Sequence, residues 1–375
     1  MSLTIVPVSP EKGLDAFIQV QFDIYEGDPH WVPPVVPHLR KLLDPKTGPF
    51  FEVGEAQYFL AVKDGRNVGR ISAHLNFAYE KHHDTHTGFF GFFESIDDQQ
   101  VADALFQAAS AWVKAKGKTR ILGPLSFGIY DEVGLLIDGY HQRPVMFHSY
   151  NHPYFEKLVE GFGFKKCFDW FAYIIDKLPA PLEELIKRRD EILAAAVLNI
   201  TQGKTSEVIT RAPEVLEMFN TLWDKNWGHV PLTEAQFNDA FMQLKPILRP
   251  ELVSFIEENG EILAFSVVAP DINHTLHKTG GKLGLLGMLR LYWDCRVAPL
   301  KAARAIIMGV KKSHQWRKLH HALILNIMIN LARWEKSGGW CDCSLIPESL
   351  VKWNKTLQMF GGRKWRTFRL YDREI

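Results

Sequence analysis

Five groups of residues in this chain have types and spacing suited to chemistry. Glu94 follows the strand GFFGFF. A carboxylate set among phenylalanine rings loses hydration, which raises its pKa and suits it to accept a proton near neutral pH. Glu94, Asp97 and Asp98 also precede the helical pattern VADALFQ, so capping, or a solvated carboxylate, is the structural reading of the same residues. Tyr154, in YNHPYFEKLVEGFGF, offers a phenol, and Asp131 and Glu132 are loop carboxylates. Lys311, Lys312, Arg317 and Lys318, with His314 and His320, crowd the start of the apolar run HALILNIMIN. The unpaired N–H groups and dipole of a helix start favour an anion there, and a solvated basic loop is the alternative. Cys341 and Cys343 alternate on a strand pattern, which puts both thiols on one face. No partner pair completes a zinc set, so structural thiols are expected. His82 and His86 in EKHHDTHTG have four-residue spacing inside a polar, loop-like run. No metal is expected from either group.

The elements that must position these residues recur. A helical pattern through Ala16, Phe17, Val20 and Tyr25 runs into DPHWVPP, and one through Val215, Leu216, Phe219 and Trp223 runs into KNWGHVPL. A hairpin follows each, turning at Asp64-Gly65 and at Asn259-Gly260. Such dipeptides between β-branched runs are strong hairpin signals. Next come a strand (88–93 and 303–310), a long helix ended by Gly117 or Gly338, a strand (TRILGPLSF and GWCDCSL), a short helix stopped at glycine, and a last strand. Landmarks in one order at near-constant separation predict two copies of one domain, each a mixed, largely antiparallel α/β sheet flanked by helices. The expected bounds are 1–178 and 206–375, with a linker helix within 179–205 after Pro179 and Pro181.

Composition bounds the rest. The chain has 375 residues, 46% hydrophobic, with 44 basic against 43 acidic side chains. That balance excludes disorder and gives no electrostatic footprint for general nucleic-acid binding. No run of about 20 apolar residues spans a membrane. Four cysteines are too few for a disulfide framework, and MSLTIVPVSP lacks the regions of a signal peptide. A cytoplasmic monomer or homodimer acting on a small molecule or peptide is the expectation.

The strand-to-helix junction IIMGVKKSHQWRKLHHALI resembles the acyl-CoA segment of the GNAT acyltransferases, a strand followed by Arg/Gln-x-x-Gly-x-Gly/Ala at a helix start. Gln315 falls on the first position, and Lys318 and His320 on the two small-residue positions. The late helices ending in GFGF and FGGR are similar to the short helix of that family ending in Leu-Gly-Phe. DPHWVPP, GFFGFFES, YNHPYF and APDIN resemble a bacterial subgroup of tandem GNAT-like proteins.

The resemblance implies an acyl-CoA-dependent N-acyltransferase using acetyl-CoA or a longer acyl-CoA. It places cofactor contacts on Met308, Gly309 and Val310 at the strand edge, and on Gln315, Arg317, Lys318, Leu319 and His320 at the helix start. It makes Glu94 the general base and Tyr154 a candidate acid. Two departures from the family pattern stand out. Neither junction keeps the glycines, and Val159 and Leu357 occupy the late-helix position where many members carry a tyrosine acid. They leave open a non-catalytic ligand-binding or sensor protein of the same fold, and a structural protein acting through a surface.

Overall fold

The computed structural model describes residues 2–203, 210–332 and 339–375. The chain forms two compact units. The first comprises Met1–Trp170, Leu276–Leu283 and Arg366–Ile375, and the second Phe171–Thr275 and Gly284–Trp365. Gly338 and the end of the expected linker, 204–205, lie outside the described residues.

In chain order the first unit contains β1 (Leu3–Val8), α1 (Pro10–Ile24), α2 (Val36–Leu43), β2 (Gly54–Lys63), β3 (Arg66–Asn76), α3 (Phe77–His82), β4 (Thr87–Ser95), α4 (Gln99–Ala115), β5 (Arg120–Gly123), β6 (Leu135–Asp138), α5 (Tyr154–Gly161) and the start of β7 (Lys165–Ile175). Strands β1, β2, β3 and β4 are antiparallel neighbours, and β5 joins β4 in parallel. The hairpin turns where the sequence places it, with Asp64 at φ 50° and Gly65 at φ 78°. Two left-handed residues give the turn whose twist suits the flanking strands. Val101, Leu105, Ala109 and Val113 repeat along one face of α4 and bury it against Ile71, Ala73 and Phe90. The strand expected across TRILGPLSF stops at Gly123 because Pro124 has no N–H for the ladder. Leu125 N–H instead donates to Phe90 O (2.8 Å), turning the chain across the end of β4. The residue of β4 beneath that crossing must be glycine, since a Cβ on Gly91 would sit 1.8 Å from Leu125 O.

The second unit follows with α6 (Leu182–Ala196), β8 (Asn199–Gln202), α7 (Ala212–Trp223), α8 (Glu234–Leu244), β9 (Val253–Glu258), β10 (Glu261–Pro270), the start of α9 (Asn273–Thr279), α10 (Leu285–Tyr292), a π-helical turn (Trp293–Val297), β11 (Ala302–Val310), a 3₁₀ turn (Lys312–Arg317), α11 (Leu319–Ala332), β12 (Trp340–Pro347), α12 (Val351–Met359) and the start of β13 (Arg363–Glu374). Strands run in the order β12, β11, β10, β9, β8, with only the β11–β12 pair parallel. The hairpin again turns through two left-handed residues, Asn259 (φ 52°) and Gly260 (φ 83°). The succession hairpin, strand, helix, strand, helix, strand therefore holds in both halves, as the repeat predicts. Helix α11 is buried almost all round, which matches its nearly unbroken apolar sequence. Its two internal amides are satisfied, Asn326 by Ser254 Oγ (3.0 Å) and Asn330 by Glu251 O (2.7 Å).

Strand β13 begins in the second unit and ends in the first. There Glu374, Arg373, Asp372 and Tyr371 pair with Arg120, Ile121, Leu122 and Gly123 of β5, and Arg369–Thr367 pair with β6.

Candidate active site

Glu94 stands next to last on β4 and is buried at 8% exposure. The neighbouring strand brings Arg70 opposite it in register. Arg70 Nη2 lies 3.6 Å from Glu94 Oε1, and Arg70 Nη1 donates to Phe17 O at 3.1 Å. On its other oxygen Glu94 accepts a 2.6 Å hydrogen bond from the Tyr25 hydroxyl. Burial pushes the carboxyl up to about 7, although the Arg70 charge and the Tyr25 hydrogen bond both pull it down. Burial and the Glu94 charge together raise the Tyr25 phenol well above its ordinary range, so its proton stays in place. The result is a carboxyl that takes up or releases a proton near neutrality, next to a fixed hydroxyl donor and a buried cation.

Residues from the two conspicuous motifs surround it. Tyr25 stacks on Trp31 (5.3 Å, 22°) and contacts the rings of Tyr150 and His152 at 5.7 and 5.0 Å. Tyr150 donates to Asp28 Oδ2 (2.7 Å), and His152 Nδ1 is 3.6 Å from the same oxygen. Asp28 Oδ1 accepts from the backbone of His30 (2.7 Å) and Trp31 (3.3 Å), which fixes the carboxylate in its loop. Glu132 is open to solvent, yet surrounding protein desolvates its carboxyl and raises it, with Arg70 opposing. Together these side chains line a polar and aromatic setting around one proton-accepting carboxylate, an arrangement suited to deprotonating a nucleophile.

Tyr154 is brought to the same strand end, since its hydroxyl donates to Ser95 O at 2.7 Å. Burial, then the Glu94 charge, raises its phenol. Helix α4 is capped by Asp98, which accepts from Gln100 N (2.9 Å) and pairs with Lys63 at 2.5 Å. The capping reading thus falls to Asp98 and leaves Glu94 to the interior.

The second junction differs. Beyond Ala305 and Cys343 the parallel register of β11 with β12 stops, and Met308 is half-buried on the continuing strand. Gly309 pairs with Phe265 across β10, and a Cβ on it would meet Leu222 at 2.7 Å and Phe265 at 2.8 Å, so packing requires the glycine. Val310 is buried against α11. Three of the four basic side chains have carboxylate partners: Lys311 with Glu261, Lys312 with Asp224 (2.9 Å) and Arg317 with Glu258 (3.1 Å). Gln315 and Lys318 remain exposed, and Leu319 is fully buried. Lys318 adopts φ 56°, ψ 28°, the left-handed turn that a glycine takes without strain. The backbone bends as a glycine would bend it while the residue carries a cation. His320 is half-buried, and burial, then the charges of His321 and Lys318, lower it to about 4, so it is neutral.

Cys341 and Cys343 are buried free thiols on β12, on either side of the fully buried Asp342. Asp342 accepts from Trp365 Nε1 (2.9 Å) and faces Arg304 at 4.0 Å. His82 ends α3, and His83 packs on the Tyr79 ring at 4.5 Å. Among the described residues no three His, Cys, Asp or Glu side chains are placed to hold a metal ion.

Sequence reasoning missed Tyr25 and Arg70 as partners of Glu94. For Arg70 a signal existed: Arg70, Ser72 and His74 put three polar residues on one face of a strand buried on both sides. Tyr25 reads as an ordinary core aromatic, and only the third dimension aims its hydroxyl.

No family model matches the chain. The chain is 31% identical over 376 residues to the bacterial ceramide synthase of Caulobacter vibrioides (strain NA1000 / CB15N), covering 100% of this chain and 98% of that protein. It is 30% identical over 371 residues to protein YghO of Escherichia coli (strain K12), covering 97% and 94%. Among solved structures, the tandem GNAT protein from the clavulanic acid biosynthesis pathway matches 100% of this chain and 98% of its own, with a TM-score of 0.56 at 13% identity, a likeness of fold. Full-length identity to the two curated relatives shows that the chain belongs to the family of the bacterial ceramide synthase and YghO, and its fold is that of a tandem GNAT protein.

Proposed function

We propose that this protein is an acyl-CoA-dependent N-acyltransferase, with Glu94 as general base and a long-chain amino alcohol as acceptor. The observation that carries the reading is the Glu94 carboxyl, buried and poised at about 7. The acceptor class rests on the full-length relative named a ceramide synthase, a ceramide being the amide of a fatty acid and a long-chain amino alcohol. In the reaction the amine nitrogen attacks the thioester carbonyl, and the C–N bond forms. The amine proton passes to Glu94, the C–S bond breaks, and the thiolate leaves to be protonated as free CoA. Met308, Gly309, Val310, Gln315, Arg317, Lys318, Leu319 and His320 are proposed independently as an acyl-CoA contact within the second unit, and this assignment is tested apart from Glu94.

Free-thiol release from acyl-CoA in the presence of a long-chain amino alcohol measures the activity. The base works deprotonated, so kcat/KM is expected to rise with pH through about 7, the value to which burial lifts Glu94. Glu94→Gln is expected to lower kcat by about 10²-fold or more and to remove that rise. A variant as active as the parent, with the same pH profile, would overturn the assignment.

The altered junctions favour a second reading, a sensor of the same fold. Asp98 and Lys63 close the first helix start, and carboxylates occupy most of the cations at the second. It is distinguished by saturable acyl-CoA binding without thiol release for any amine.

A further inference from the structure

Half of the exposed large apolar side chains among the described residues, seven of fourteen, fall within residues 285–297. On α10 these are Leu285, Leu286, Met288, Leu289 and Tyr292, followed by Trp293 and Val297 of the π-helical turn. At 100° per residue the six from Leu285 to Trp293 occupy an arc of about 160°, while Gly287 and Leu291 on the opposite side are buried. The helix is thus apolar on its inner face and again on its outer face, where a surface helix carries polar residues. Fold stability explains the inner face only.

We propose that α10 and the turn after it dock on the surface of an anionic lipid bilayer. From Lys278 to Lys301 the chain carries five basic residues and one acidic residue, Asp294. Asp294 is itself engaged by Arg290 (2.9 Å) and Thr275 (2.8 Å). The segment that carries the apolar arc therefore has a net positive charge, the complement of acidic headgroups. Tyr292 and Trp293 stand at the C-terminal end of α10, and such rings favour the headgroup level while Leu and Met enter the acyl region. Docking of two copies through this face would set like charges against each other, because a twofold interface pairs a patch with itself. No helix among the described residues is long and apolar enough to cross a membrane, so the contact is with the surface. This proposal does not depend on the acyl-transfer reading, and its test does not measure activity.

The test is flotation of the full chain with phosphatidylglycerol-containing vesicles and with pure phosphatidylcholine vesicles. The parent is expected to float with the anionic vesicles, less with the neutral ones, and less at high salt. The double variant Leu286→Asp, Leu289→Asp, altered at exposed positions, is expected to keep the parent's circular dichroism and thermal midpoint. Its vesicle binding should fall about tenfold or more. Lys282→Glu with Lys301→Glu should weaken binding to anionic vesicles alone. A parent that stays with neither vesicle overturns the proposal. So does light scattering that shows a parent dimer, a monomeric double variant and no vesicle binding, since the face would then join two copies.

Discussion

Arg70, Ser72 and His74 occupy alternate positions on β3 and are all buried, yet their surroundings divide them. Arg70 finds Glu94, a backbone carbonyl and the Phe17 ring, 5.0 Å from the guanidinium. Breaking such a buried pair leaves an uncompensated charge, so the pair is held together by what each partner would suffer alone. His74 sits among Phe50, Phe89 and Phe127 at 5.4–5.6 Å, and neither ring nitrogen has a hydrogen-bond partner. Burial lowers it to about 3, so it is neutral wherever the protein is folded. A buried polar group without partners costs stability. His74→Phe is therefore expected to raise the thermal midpoint, by the equivalent of about 1 kcal/mol. A lower midpoint in thermal unfolding would show that the imidazole serves a partner.

At the scale of elements, one strand-to-helix junction appears twice with different chemistry. The junction between β4 and α4 is closed by its own cap and Lys63. The junction between β11 and α11 is a 3₁₀ turn that ends on a left-handed lysine. Its other cations are matched to carboxylates on neighbouring elements, so Lys318 is the cation left to meet an outside anion. Lys318→Glu is expected to weaken CoA binding about tenfold or more, because a charge-assisted contact becomes a repulsive one. Lys312→Glu, next to the exposed Asp224, is expected to change it less. Calorimetry with CoA checks both, and equal affinity for parent and Lys318→Glu would remove the junction from the binding site.

On the scale of the molecule, the last strand ties the chain's end to its first unit. Arg366, Phe368, Leu370 and Tyr371 are all fully buried. Arg369 pairs with Asp169 at 2.9 Å, and Tyr371 donates to Glu156 at 3.2 Å. Each large apolar side chain contributes about 1.5–3 kcal/mol on burial. Their sum is comparable with the whole stability of a typical domain, about 5–15 kcal/mol. A chain ending at Trp365 is therefore expected to lose the fold of the first unit, although the residues removed come last in sequence. Limited proteolysis checks this: rapid loss of the segment 1–170 is the expected result, and protection equal to the parent's would refute it.

The sequence by itself determined the repeated elements and their order. Local physics governs those features: Asp64-Gly65 and Asn259-Gly260 suit left-handed turns, alternation marks β2 and β3, and the apolar period of α4 defines its buried face. It marked Glu94 and Tyr154 through their neighbours and drew attention to DPHWVPP and YNHPYF. The early end of β5 was legible too, in Pro124, but was outweighed by the apolar run around it. Only the tertiary structure decided that Asp28, Trp31, Tyr150 and His152 gather round Tyr25, and that Arg70 and Tyr25 share Glu94. It also decided that the last strand completes the first unit and that the apolar face of α10 is turned to water. The reason is one of range: turns and periods act within a few residues, whereas the decisive pairings join distant positions, Tyr25 with Glu94 69 residues apart and Arg120 with Asp372 252 apart, whose meeting depends on the whole fold.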